Sequence, residues 1–284
     1  MIRTLPTSKT YNRLFTLYVI LYFIFLFAPL LVTCVLAFND YQFPSLPWKG
    51  FTLDWFTANS EQRVGIFHDR INLNSIWVSF RVAFFVTLLS TVVGTCGAFL
   101  FEQEDFRFKQ LLYFLMLAPL VIPGVILGIS ILLLSNTLGT YFETSWNLDI
   151  ELFRPGFWLV VLGQFSFIAT LVTLVVSARL KKFDRTLEEA ALNLGANRPE
   201  VIWHITLKFL RPAILGAAAV AFLMSFENFN TTLFLVGYEA TLPINLYLQV
   251  RDGSTPVINA ISFLLIVGTS MIALANLYFS RKAE

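Results

Sequence analysis

"LEEAALNLGANRPEVIWHITLKFLRP", residues 187–212, gathers charge in a chain that otherwise carries little. The protein is 57% apolar, 16% aromatic and 13% charged, with 30 Phe, and its mean hydropathy is +0.71. A soluble domain is about half apolar and about a quarter charged, so the surroundings of this stretch have a membrane composition. The stretch lies between two long apolar runs, and its side of the membrane fixes the arrangement of the rest.

Locally it reads as two short helices with a bend. Thr186 and Glu189 have the spacing of a capping box. Leu187, Ala190, Ala191 and Leu194 then share one helical face. Gly195 is a helix stop, and Pro199 suits the first turn of a second helix. Two arrangements satisfy such a small-residue face: it lies against its own protein, or it fits a groove on a partner.

A helix needs about 20 apolar residues to cross a bilayer. Six runs meet this, at 14–38, 75–101, 110–135, 156–178, 212–236 and 256–279. The first is longer than a signal-peptide core and is followed by Phe38-Asn39-Asp40 rather than a small-residue cleavage site, so it reads as a retained span. Lys and Arg then set the orientation. The N-terminal tail, the loop after span two, the 179–211 loop and the C-terminal tail hold 14 of the 20 basic residues, against 5 on the other side. The expected fold is therefore an all-α integral membrane protein. It has six transmembrane helices, both termini in the cytoplasm, and a cytoplasmic helix between spans four and five. Residues 1–13 form a cytoplasmic tail, and 14–284 form a single membrane domain. The 39–74 and 237–255 loops face outward.

Residues 187–212 resemble the "EAA" loop of the inner-membrane permeases of type I ABC importers. The pattern is carried by Glu189-Ala190-Ala191, Gly195, Ile205 and Leu207, with Lys208 where the family has Pro. "ARLKKFDRTLEEAALNLGA" and "LPINLYLQVRDGSTPVINAISFLL" are similar to the polyamine/opine branch, above all to the second permease subunit of spermidine/putrescine importers. The resemblance implies a multi-pass protein of the bacterial inner (plasma) membrane. It implies as partners an ABC ATPase dimer, a second related permease and a periplasmic or extracellular solute-binding protein. Leu187, Glu188, Glu189, Ala190, Ala191, Leu194 and Gly195 become the ATPase-coupling element. No GxxxxGK[ST] loop occurs here, so ATP and Mg are expected on the partner ATPase and no cofactor on this chain.

Ionisable residues within spans point to function by default. In "SFENFN", helical spacing places Glu227, Asn230, Thr231 and Phe234 on one face, with Asn228 nearby, as candidates for a translocation path. Glu227 has a second reading, a buried carboxylate bonded to a neighbouring helix through Arg81. Arg81 itself is read as reaching outward from span two. Pro119 and Pro123 are expected to kink span three. Ser90, Gly94 and Ala98, Gly124 and Gly128, and Ala213, Ala217 and Ala221 mark helix-packing seams. The outward turn "RDGSTP", 251–256, and the 39–74 loop are candidate docking points for a binding protein.

The remaining classes are weaker. A net charge of +2 and no basic run interleaved with aromatics give no basis for nucleic-acid binding. Cys34 and Cys96 fall in apolar runs without metal-site spacing. Catalytic and metal residues are therefore expected to be none. No repeated halves favour a secondary transporter, and no clustered nucleophile or acid–base constellation favours a membrane enzyme. An importer of opines or another small solute on the same architecture stays the alternative.

Overall fold

The computed structural model describes residues 9–60, 63–253 and 255–281, with side chains to Met271 and at Leu274. The described residues are helical, with two isolated β-bridges and no strand. The helices are α1 (Lys9–Leu36), α2 (Asp54–Thr57), α3 (Arg70–Gln103), α4 (Lys109–Val121), α5 (Gly124–Trp146), α6 (Phe157–Leu180), α7 (Thr186–Asn193), α8 (Arg198–Val201), α9 (Leu207–Phe226), α10 (Thr232–Leu235), α11 (Leu242–Asp252) and α12 (Val257–Arg281). A 3-10 turn, Glu151–Phe153, precedes α6, and a π-helical turn, Ile202–Thr206, joins α8 to α9. Five segments are long and apolar enough to cross a membrane: α1, α3, α5, α6 and the continuous run Arg198–Phe226.

Two predicted spans need correction. The run 110–135 is broken between α4 and α5 rather than kinked, because Ile122 and Pro123 are extended, with ψ of 128° and 132°. Proline offers no N–H and disfavours a helical residue before it. Pro119 remains inside α4. The run 212–236 is not one helix either: it begins inside the longer rod Arg198–Phe226 and stops at Phe226. Of the predicted tails, residues 1–8 and 282–284 lie outside the described residues, as does Ser254 of the 251–256 turn.

The chain divides into two compact units. In one, residues 9–70 and 249–274, α1 buries none of its side chains. Residues 37–60 and 63–69 of this unit are folded, not a tether. The Asn39 side chain donates to the carbonyls of Ser45 and Pro47 and accepts from the Lys49 amide. Trp55 Nε1 donates to the Asn39 carbonyl at 2.8 Å. Arg63 bridges Asp40 and Asp54 at 2.6 and 3.1 Å and lies over the Trp55 ring. Its guanidinium pKa is raised, first by the hydrogen bond to Asp40. Phe38, Phe51 and Phe56 stack, and Phe263 of α12 meets Phe38 and Phe56 edge-on.

The other unit, residues 71–248 and 275–281, has α3, α6 and α9 at its centre. Val82, Val86, Ile168, Val172, Leu210 and Ala221 are all essentially inaccessible there. The predicted seams set these distances. A Cβ on Gly94 meets Val172 Cβ at 2.7 Å and the Ala169 carbonyl at 2.9 Å, so α3 and α6 run in backbone contact. Ser90, Gly94 and Ala98 are buried along this seam, and Ala217 and Ala221 are buried on α9. The outward faces carry Leu, Ile, Val and Phe at half exposure or more, as lipid-facing helices do.

Candidate functional site

The charged stretch forms a compact helix–turn–helix that starts differently from the expected way. Thr186 is the first residue of α7 and does not cap it. Asp184 Oδ1 accepts from both the Thr186 hydroxyl and the Thr186 amide, at 2.8 and 3.0 Å. These bonds hold the Asp184 carboxyl below the usual carboxylate range, the hydroxyl contributing more. Glu189 is exposed and takes no part. At the other end Gly195 has φ +92°, and its amide and that of Ala196 bond back to Leu192 and Ala191. This is the left-handed helix stop that only glycine adopts readily.

A capping box does exist, at the start of α8, where it was not expected. The Asn197 side chain accepts from the Glu200 amide, and the Glu200 carboxylate accepts from the Asn197 amide, at 3.0 and 3.1 Å. Asn-Arg-Pro-Glu directly after a helix-stopping glycine was the available signal.

Of the seven coupling candidates, Glu188 turns inward. It accepts a hydrogen bond from the hydroxyl of Thr206, a residue with no solvent access, in the π-helical turn. A π turn inserts one extra residue into the helix and so displaces the residues around it. Leu187 is 51% exposed and Leu194 is 90% exposed. Glu189, Ala190 and Gly195 are exposed and Ala191 is half-buried. The apolar face of α7 therefore has no occupant among the described residues. Arg185 anchors the base of the helix by donating to the Glu102 carbonyl at 2.7 Å, and Lys181 lies 3.5 Å from the Glu102 carboxylate. Lys208 continues the helix where the family pattern has proline, and Pro212 sits inside α9.

The far end of the same rod carries the second candidate set. Because α9 stops at Phe226, Glu227, Asn230, Thr231 and Phe234 do not share a helical face, and that expectation is corrected. Residues 227–231 instead form a non-helical break before α10. Small residues make room for it: a Cβ on Gly128 meets the Thr231 carbonyl at 2.7 Å, and one on Gly124 meets Asn230 Cβ at 3.0 Å. The freed backbone is held by a buried polar chain. Gln164 of α6 donates to Thr232 Oγ1 at 2.8 Å and accepts from Ser225. Thr232 in turn donates its hydroxyl to Asn228 Oδ1 at 2.9 Å and its amide to the same atom at 3.3 Å. Irregular backbone within a span survives only where protein or a water-lined cavity satisfies it. Gln164 is fully buried and was overlooked, although it is a lone amide within an apolar run.

Thr231 is buried, Asn228 is half-buried, and Glu227 and Asn230 are exposed at this break. Among the described residues Glu227 has no ion pair, and Arg81 is not its partner. Arg81 lies 3.8 Å from Glu239 and over the Phe157 ring.

Residues 90–283 match the family described as the binding-protein-dependent transport system inner membrane component. The chain belongs to that family. As a family member it is an inner-membrane permease subunit of an ABC importer. It is 30% identical to the putrescine transport system permease protein PotI of Escherichia coli strain K12, over 99% of this chain and 94% of that one. It is 27% identical to the spermidine/putrescine transport system permease protein PotC of Haemophilus influenzae, over 91% and 93%. A solved bacterial ABC transporter involved in import of the acidic polysaccharide alginate has the same fold, with TM-score 0.76 at 18% identity over 96% of this chain and 98% of that one.

Proposed function

We propose that this permease subunit translocates a polyamine such as putrescine or spermidine, received from a solute-binding protein and driven by a separate ABC ATPase dimer that binds ATP and Mg. A second, related permease completes the path. The carrying observation is one continuous helical run. Arg198–Phe226 begins at the capped turn after α7 and ends at the Glu227 break. At 29 residues and about 1.5 Å per residue, it spans a hydrocarbon core of about 30 Å. Force applied to the exposed face of α7 passes through Glu188–Thr206 into this rod. The other end of the rod is a break whose polar groups line a route for a cation.

In this reading six segments cross the membrane with both termini in the cytoplasm, α4 and α5 sharing one crossing. Loop 179–211 meets the ATPase through Leu187, Glu188, Glu189, Ala190, Ala191, Leu194 and Gly195. Glu227, Asn228, Asn230, Thr231 and Phe234 line the path. The relatives that match over most of the chain are putrescine and spermidine permeases, which favours a polyamine over an opine.

The test is uptake of labelled putrescine and spermidine by cells with and without the gene, at low external concentration. Loss of uptake on deletion supports the polyamine assignment, and unchanged uptake overturns it. Glu189→Arg is expected to assemble normally yet abolish uptake, since it reverses a charge on the exposed ATPase-facing side. Normal uptake in that variant defeats the coupling assignment.

A further inference from the structure

A cavity with charged walls lies at the other end of α3 from the coupling helix. Arg81 lines it, whereas Glu102, 21 residues further along α3, is the residue Arg185 and Lys181 contact. That separation is about 30 Å at 1.5 Å per residue. The cavity holds about 530 Å³, within the usual range of about 300–1,000 Å³ for small-molecule sites. None of its lining residues belongs to the Glu227 break.

Its walls are pre-formed. The Gly156 amide donates to the Leu235 carbonyl at 2.9 Å, and the Leu242 amide donates to Ser79 Oγ at 2.8 Å. A Cβ on Gly237 meets the Pro155 carbonyl at 2.6 Å, so the 236–241 segment is seated directly on the start of α6. Phe85, Phe157 and Trp158 form one aromatic wall with ring centroids 5.1 to 5.7 Å apart.

Charge in the cavity is unbalanced. Glu151 and Glu239 face a single guanidinium, that of Arg81. Arg81 approaches Glu239 only to 3.8 Å, with no hydrogen bond between them, and is held over Phe157 at 4.9 Å. Glu151 has no ion-pair partner among the described residues. Thr241 also lines the cavity. It is 3% exposed, and its hydroxyl has no hydrogen-bond partner among the described residues. Of the buried side-chain atoms without a partner among the described residues, it alone lines this cavity.

We propose that this cavity is a binding site for an alkylammonium ion, through which the substrate passes before it reaches the Glu227 break. Glu151 and Glu239 neutralise the ammonium, Thr241 Oγ1 accepts one of its N–H bonds, and the exposed part of the Trp158 face covers the methylene chain. Displacing Arg81 from Glu239 costs little, because the pair is long and half-exposed. This assignment rests on the polyamine reading above.

The test uses the complete importer in proteoliposomes, with its ATPase, partner permease and binding protein, and labelled putrescine. Wild-type uptake is measured first, and its absence counts against the polyamine reading rather than this site. With wild-type uptake present, Glu151→Gln is expected to raise the KM for putrescine-loaded binding protein or lower maximal uptake at least fivefold. Glu151→Asp is expected to restore most of it, and Thr241→Val to lower uptake about threefold. Glu239→Gln should match Glu151→Gln. Should it fail to assemble, the Glu151 and Thr241 variants decide. Uptake within twofold of wild type in both Glu151→Gln and Thr241→Val overturns the site.

Discussion

Single side chains in the charged stretch divide its labour in a way that composition does not show. Glu188 and Glu189 are adjacent and chemically alike, yet one is tied to buried Thr206 and the other is exposed. Glu188→Ala leaves the Thr206 hydroxyl without a partner, which destabilises the docking of α7 by about 1–3 kcal/mol. Glu188→Gln keeps an acceptor oxygen there. Uptake is expected to fall more in the alanine variant, and hydrogen exchange over 186–193 should rise only in it. Asp184 gives the stretch a pH dependence of known sign. Its folded pKa lies below the ordinary carboxylate value of about 3.9, so the stabilisation is complete above that value and is lost as pH falls through the folded value. Exchange protection at the start of α7 is expected to hold from pH 7 to about 5 and to fall below about pH 4. Loss of protection at pH 6 contradicts this. Asn197 with Glu200 was legible in the sequence; the role of Asp184 was not. A Thr-x-x-Glu spacing matched the capping template, and nothing local reveals that the chain starts the helix one bond earlier.

At the scale of helices, the apolar runs were legible as runs and Pro123 marked a bend in the third, but neither the full break there nor the stop at Phe226 was read. Hydropathy averages over a window, so it passes smoothly across Ile122-Pro123 and across Glu227–Thr231, where the backbone departs from the helix. The first break follows from Pro123 itself, whereas the second depends on distant contacts: Gly124 and Gly128 admit residues 230–231, and Gln164 closes the polar chain from another helix. The small-residue seams, by contrast, were read correctly from their four-residue spacing, because that spacing alone puts them on one face. Gly128→Ala drives a Cβ to 2.7 Å from the Thr231 carbonyl, a backbone atom that has no rotamer to yield. A loss of about 1–3 kcal/mol is expected, seen as a lower thermal midpoint of the purified complex. Glu227→Gln touches no such contact. It is expected to lower putrescine uptake without lowering the amount of assembled complex, and loss of assembly instead assigns Glu227 a packing role.

For the whole molecule, the orientation inferred from the basic residues is open to direct measurement. Leu194 is 90% exposed beside Gly195, so Leu194→Cys leaves the packing within this chain unchanged, and the permease is tested stripped of its ATPase. In right-side-out vesicles it is expected to resist a membrane-impermeant thiol reagent until the membrane is opened; labelling of intact vesicles reverses the topology. The folded loop between α1 and α3 has a consequence of its own. Its shape is fixed by Asn39, Trp55 and Arg63 from within. A protein arriving at this loop meets a surface that has already lost its conformational freedom, so little entropy remains to be surrendered at the encounter. Such an association is quick to form and depends on shape more than on rearrangement. The solute-binding protein proposed as a partner would gain from that at such a surface, since brief, repeatable contact suits cargo release better than a tight, slowly dissolving grip.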